Sequence, residues 1–239
     1  MESRINIEAK SIVLSKGAAT LTDAAMEATV SYDDELTGSG QVHIAELAAA
    51  GVKLRDIACP VVIESESLKM RSINTRLFDG VLHADIEVGL LQPGMPASVS
   101  AHVEGLDLAA FTQEMKPPSV NITGLANGDA TVKFDRAGLK DLKVALKATE
   151  NVSLNRDLLR QALLSEYVGT VTGGKTLKQI VLDVAGESDQ RPFDSAELTL
   201  GLDRDRITGQ AVLRSEELNF TVDLKLDPGA LMDALRLRQ

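Results

Sequence analysis

The residues able to do chemistry are three histidines, one cysteine and a few acidic or glycine-rich clusters. His43, His83 and His102 each sit on the polar phase of an alternating run, between apolar neighbours. A transition-metal centre needs imidazoles to converge with carboxylates or thiolates. No His-x-His or His-Glu-x-x-His spacing occurs, so no metal site and no cofactor is expected, only solvent-facing histidines on the polar phase of their strands. Asp203-Arg204-Asp205 and Asn127-Gly128-Asp129 resemble the start of calcium loops but lack the later glutamate that completes one. Both lie between alternating runs and are expected as tight turns. Gly169-x-x-x-x-Gly174-Lys175-Thr176 matches a phosphate-loop spacing formally, but such a loop follows a buried parallel strand, and here a helix is predicted before it. No Gly-x-Ser-x-Gly elbow exists, and the dispersed histidines assemble no acid–base–nucleophile set. No catalytic residue is assigned, and the expectation is a non-enzymatic protein.

Composition narrows the class further. The 239 residues suffice for a substantial core in one domain or two. Aromatics are 3% with no Trp, which argues against base stacking, and a net charge of -10 argues against phosphate binding; no nucleic-acid partner is expected. The same charge disfavours flat docking on an anionic membrane, while leaving room for local basic patches. Cys59 is the only cysteine, so no intrachain disulfide exists. That suits a reduced compartment or a large periplasmic protein without disulfides. In Ile57-Ala58-Cys59-Pro60-Val61 it is expected as a buried small hydrophobe. No apolar run approaches the roughly 20 residues of a membrane span, and Met1-Glu2-Ser3-Arg4 opens no signal peptide.

The elements that must position these residues are strands. A recurring pattern places a glycine ahead of alternating apolar and polar residues, as in Gly80-Val81-Leu82-His83-Ala84-Asp85-Ile86-Glu87-Val88, Gly128-Asp129-Ala130-Thr131-Val132-Lys133-Phe134 and Gly209-Gln210-Ala211-Val212-Leu213-Arg214. Period-two alternation puts apolar groups on one face of a sheet and charge on the other. Residues 4–104 read as continuous β structure, with a phase change near Ser72 that predicts a bulge or a strand break. Asp107 is placed to cap a short helix over 107–115. Apolar stripes predict a helix pair near 155–185, Leu158 to Tyr167 and Leu177 to Val184, and Asp227-Pro228-Gly229 predicts a terminal helix near 228–237. Between them come three more strands.

The fold class is therefore mainly β, a long antiparallel sheet with one apolar face, in a single elongated module over 1–239 that subdivides near 150. The candidate functional surface is that face, carried by Val42, Ile44, Leu82, Ala84, Ile86, Val88, Val99, Val103, Val132, Phe134, Val144, Leu146, Leu198, Leu200, Leu213, Phe220, Val222 and Leu224. An antiparallel sheet with one apolar face must bury it against a second sheet, helices or a ligand. A closed sandwich or barrel with a dry core is the alternative.

Several segments carry a family resemblance. Gly40-Gln41-Val42-His43-Ile44, Gly51-Val52-Lys53-Leu54-Arg55-Asp56-Ile57 and Leu77-Phe78-Asp79-Gly80-Val81-Leu82 follow in order, then Gly105-Leu106-Asp107-Leu108, Ile122-Thr123-Gly124-Leu125-Ala126-Asn127-Gly128 and Arg191-Pro192-Phe193-Asp194-Ser195-Ala196-Glu197-Leu198. This order resembles the AsmA-like family of Gram-negative envelope proteins, a style that TamB-like and YdbH-like proteins share. The resemblance implies a sheet folded lengthwise into a β-taco-like groove. It further implies phospholipid as the partner, held or moved between inner and outer membranes during outer-membrane biogenesis. It places the chain in the periplasm as part of a longer protein, with a membrane anchor in a segment outside this sequence. Protein partners are not specified.

Overall fold

The computed structural model describes residues 2–14, 19–33, 35–49, 52–64, 66–115, 121–155, 168–172, 190–204, 206–216 and 219–226. Alternation does what it predicts through the first half. Strands β1 (Glu2–Leu14), β2 (Ala19–Tyr32), β3 (Leu36–Ala49), β4 (Val52–Glu64), β5 (Ser67–Leu77), β6 (Gly80–Gly89) and β7 (Ala97–Asp107) pair antiparallel in chain order. After helix α1 (Leu108–Met115) come β8 (Ile122–Asp135) and β9 (Gly138–Asn155), extending the same sheet. The chain then supplies β10 (Val168–Thr172), β11 (Gln190–Phe193), β12 (Ser195–Asp203), β13 (Arg206–Arg214) and β14 (Asn219–Leu226). Beyond β9 the sheet order is β12, β13, β14, β10, and β11 pairs the C-terminal end of β9. The path runs from β1 to β10 without closing, so the sheet is open.

Local chemistry sets the joints. Phe78 and Asp79 both have positive φ (46° and 62°), which matches the twist of a two-residue hairpin closed by Leu77 and Gly80. Ser72 has φ 57° and marks a register shift between Met70 and Ile73. Of the bulge or strand break expected from the phase change, this is the bulge: Leu68 and Met70 before it, and Ile73 after it, all pair apolar residues of β6. A further line of distortions crosses β7, β8 and β9 at Gly105, Gly124 and Asn151, all with positive φ. Helix α1 begins where expected. The Asp107 carboxylate accepts hydrogen bonds from the backbone N–H of Ala109 (2.7 Å) and Ala110 (3.2 Å), satisfying donors that a helix N-terminus leaves unpaired. Phe111 stands edge-on to Phe78 at 5.2 Å, fixing α1 against the β5–β6 hairpin.

Three expectations are corrected. Asn127-Gly128-Asp129 is not a turn but the middle of β8. Its polar side chains are used across the sheet instead: Asn127 Oδ1 accepts from the Gly105 N–H (2.7 Å). Gly128 and Gly209 likewise lie inside strands, and of the three glycines expected to open a run only Gly80 begins a strand. Finally, Val168–Thr172, which falls between the two predicted helices as their expected connection, is strand paired with β14. The two predicted helices themselves, and the terminal helix near 228–237, lie outside the described residues. The hairpin at Arg204 is a turn, closed by the pairing of Asp203 with Arg206.

Burial concentrates in two clusters on one face. The larger gathers Val103, Leu106, Ala126, Ala148, Val152, Leu154, Phe193, Leu213 and Phe220 from β7 to β14. The smaller joins Ile57 and Cys59 of β4 to Ile73 of β5, with Val42, Ile44 and Ile86 packed against it. Cys59 is buried as expected, and burial pushes its thiol pKa up.

Candidate functional site

Register decides which side chains share a face, because directly opposed residues in an antiparallel pair point the same way. Val42 stands opposite Met26 and Cys59, and Ile44 opposite Ala24 and Ile57. On β6, Leu82, Ala84, Ile86 and Val88 oppose Val103, Ala101, Val99 and Ala97. The rows continue: Val99 meets Val132, Ala97 meets Phe134 and Val103 meets Gly128. Leu146 opposes Gly128 and Leu198, while Val144 opposes Ala130 and Leu200. Leu213 pairs Phe220, Ala211 pairs Val222 and Gly209 pairs Leu224. All eighteen candidate residues thus share one face of the sheet.

They do not share one environment. Val103, Leu213 and Phe220 are buried, the last at 1% exposure, so protein closes them off. Phe134 is 43% exposed at the outer end of its row. The others are half-buried. A row such as Leu82–Val103–Gly128–Leu146–Leu198–Ala211–Val222 crosses seven strands as one apolar band. Alanines and glycines within these rows keep the band low. Gly128 sits under Leu146 and Gly209 under Leu200, where a β-carbon would strike both the leucine and the backbone of the adjoining strand.

The opposite face holds the ionisable groups. His83 and His102, separate in sequence, are directly opposed across β6 and β7, a pairing that sequence reading misses because it depends on long-range register. The Asn74 amide donates through Nδ2 to the Ser72 carbonyl (2.9 Å), so its Oδ1 faces His83 Nδ1 and accepts from it. His102 Nδ1 meets Asp129 Oδ1 at 2.8 Å, and its Nε2 lies 3.4 Å from Glu104. The hydrogen bond to Asp129, helped by the charges of Asp129 and Glu104, raises the His102 pKa above 6.5. Asn74, His83, His102 and Asp129 border a hollow of 480 Å³ with Ser72, Asp85 and Thr131. Among the described residues no three His, Cys, Asp or Glu side chains converge to hold a metal ion. His43 is exposed on β3.

No protein-family model, curated protein or solved structure matches this chain. Among the described residues no helix is long and apolar enough to cross a membrane.

Proposed function

We propose that the chain is a lipid-binding or lipid-transfer module of the cell envelope, holding phospholipid acyl chains on its apolar sheet face in a groove between the inner and outer membranes. One observation carries the reading: apolar rows cross an open sheet, and most of their side chains stay half-buried. Half-buried Val99, Val132, Val144, Leu200 and Leu224 leave apolar surface exposed in a protein whose opposite face is charged. Covering it with hydrocarbon gains about 25 cal/mol per Å², and acyl chains conform to a broad, low surface with no need of directional contacts. The family resemblance supports the same ligand and the periplasmic setting.

A second reading, a scaffold with a dry core, is favoured by the enclosed Val103, Leu213 and Phe220. One experiment separates the two. Lipid is extracted and quantified from gently purified wild type and from Leu224→Asp, alongside a thermal melt of each. The lipid reading expects co-purifying phospholipid, and a variant that still melts cooperatively while losing it. A lipid-free wild type together with unfolding of Leu224→Asp makes the face a core.

A further inference from the structure

The sheet path ends on two strands that differ in kind. β10 spans five residues and carries a register shift between Val168 and Thr170, the short and irregular edge that discourages pairing. β1 spans thirteen residues, holds one register with β2 from Glu2 to Leu14, and contains no proline. Among the described residues it pairs with β2 alone, so its outer edge presents a row of backbone donors and acceptors. Ile7 on this strand is 47% exposed, although it shares a face with Met26 of β2.

The charge order along β1 says what fits that edge. Its polar phase reads Glu2, Arg4, Asn6, Glu8, Lys10, and the strand carries no other charge. Arg4, Asn6, Glu8 and Lys10 are exposed. Inverting the strand about Asn6 sets every charge against its opposite: Glu2 falls on Lys10 and Arg4 on Glu8. We propose that β1 pairs antiparallel with β1 of a second copy of this chain, Asn6 against Asn6, joining two sheets across a two-fold axis. Symmetry repeats both ion pairs, and it places Ile5 of each copy opposite Ile7 of the other, covering the exposed isoleucine. Neighbouring registers are penalised. A slide of two residues sets Glu2 against Glu8 in one direction and Arg4 against Lys10 in the other, and like charges directly opposed repel. A slide of one residue puts the polar phase against the apolar one. The strand behind the seam adds two carboxylates, Asp23 and Glu27. Glu27 already meets Arg4 within one chain, and a guanidinium has donors for both that carboxylate and Glu8 of the second copy. A second copy is selected over an unrelated strand because β1 itself carries the complementary charges at the complementary spacing. Pairing of copies goes beyond the lipid-holding reading and is measured independently of whether lipid occupies the sheet.

Sedimentation equilibrium of the 239-residue chain should show a dimer that dissociates on dilution, with no larger species. Amides of β1, the first to exchange in the monomer, should slow as the dimer forms. Arg4→Glu sets like charges against each other twice in the seam, and so does Glu8→Arg; each should weaken the dimer about tenfold or more. An equimolar mixture of these two variants should dimerise again, because positions 4 and 8 are then acidic in one copy and basic in the other. Circular dichroism checks that both variants are folded, since Arg4 also meets Glu27. A disulfide test leaves Arg4 in place. Asn6→Cys should give a covalent dimer on oxidation, whereas Glu8→Cys, whose two copies lie about 13 Å apart along the seam, should not. Buried Cys59 is common to both variants. A wild type that stays monomeric, folded charge reversals that leave the dimer intact, or a folded mixture that stays monomeric overturns the proposal. So does crosslinking of Glu8→Cys as readily as Asn6→Cys. Growth beyond a dimer also overturns it, by pointing to head-to-tail joining of β1 with β10.

Discussion

A β-carbon at Gly128 would overlap the Ala145 carbonyl and the Leu146 side chain, and one at Gly209 would meet the Thr199 carbonyl and Leu200. Gly128→Ala and Gly209→Ala should each cost about 1–3 kcal/mol by overpacking, read as a lower urea midpoint at an unchanged m-value. Gly105 has φ 64° but open space around it, so Gly105→Ala should cost only the backbone strain, about 1 kcal/mol. The recurrence of these glycines was visible in the sequence; their purpose was not, because a neighbouring strand's carbonyl has no local signature. His102 offers a second residue-scale test. Its folded pKa is raised by Asp129 and Glu104, so the charged pair stabilises the fold below the ordinary histidine pKa of 6.5 and stops doing so as pH climbs past the raised value. Asp129→Asn should therefore lower the melting temperature at about pH 5.5 and leave it almost unchanged at about pH 8.5. An NMR titration should show the His102 pKa of the variant moving back toward 6.5.

At the scale of elements, strands were easier to foresee than joints. Alternation located β6, β12, β13 and most of β7, and Asp107 announced α1, because these signals lie within a few residues of one another. Ser72 betrayed its bulge by shifting the apolar phase. Asn127-Gly128-Asp129 misled because turn-forming residues were taken at face value, whereas their partners, Gly105, Leu146 and His102, come from two other strands. β10 and β11 were missed for a related reason: Val168–Thr172 and Gln190–Phe193 are short, and pairing with β14 and β9 decides their state. The cap is the element-scale prediction. Asp107→Ala removes the acceptor of two backbone N–H groups and should cost about 1 kcal/mol. The loss should show as faster amide exchange confined to Ala109 and Ala110 and the rest of α1, with β12–β14 unaffected.

Taken whole, the molecule is a ladder in which elements contact their sheet neighbours, with burial gathered in two places rather than one. Hydrogen exchange should follow that distribution, with the edge strand β1 opening first and the strands around Val152 and Phe220 last. Equal protection from β1 to β14 would contradict it. The candidate face was legible because one period governed every strand, but the enclosed Val103, Leu213 and Phe220 could not be told from open Leu224 without three-dimensional packing. Sequential pairing also governs how quickly such a chain finds its structure. From β1 to β9 each strand's partner is the next in sequence, so most ladder contacts close only short loops, and all-β chains are slow chiefly when they must close long ones. The exceptions are β9, which waits for β11 and β12 across residues 156–189 and 156–194, and β10, which waits for β14 across residues 173–218. The hairpins should therefore zip in quick succession as the chain emerges, with the meetings of Leu146 with Leu198 and of Val171 with Phe220 as the slow steps that complete the sheet.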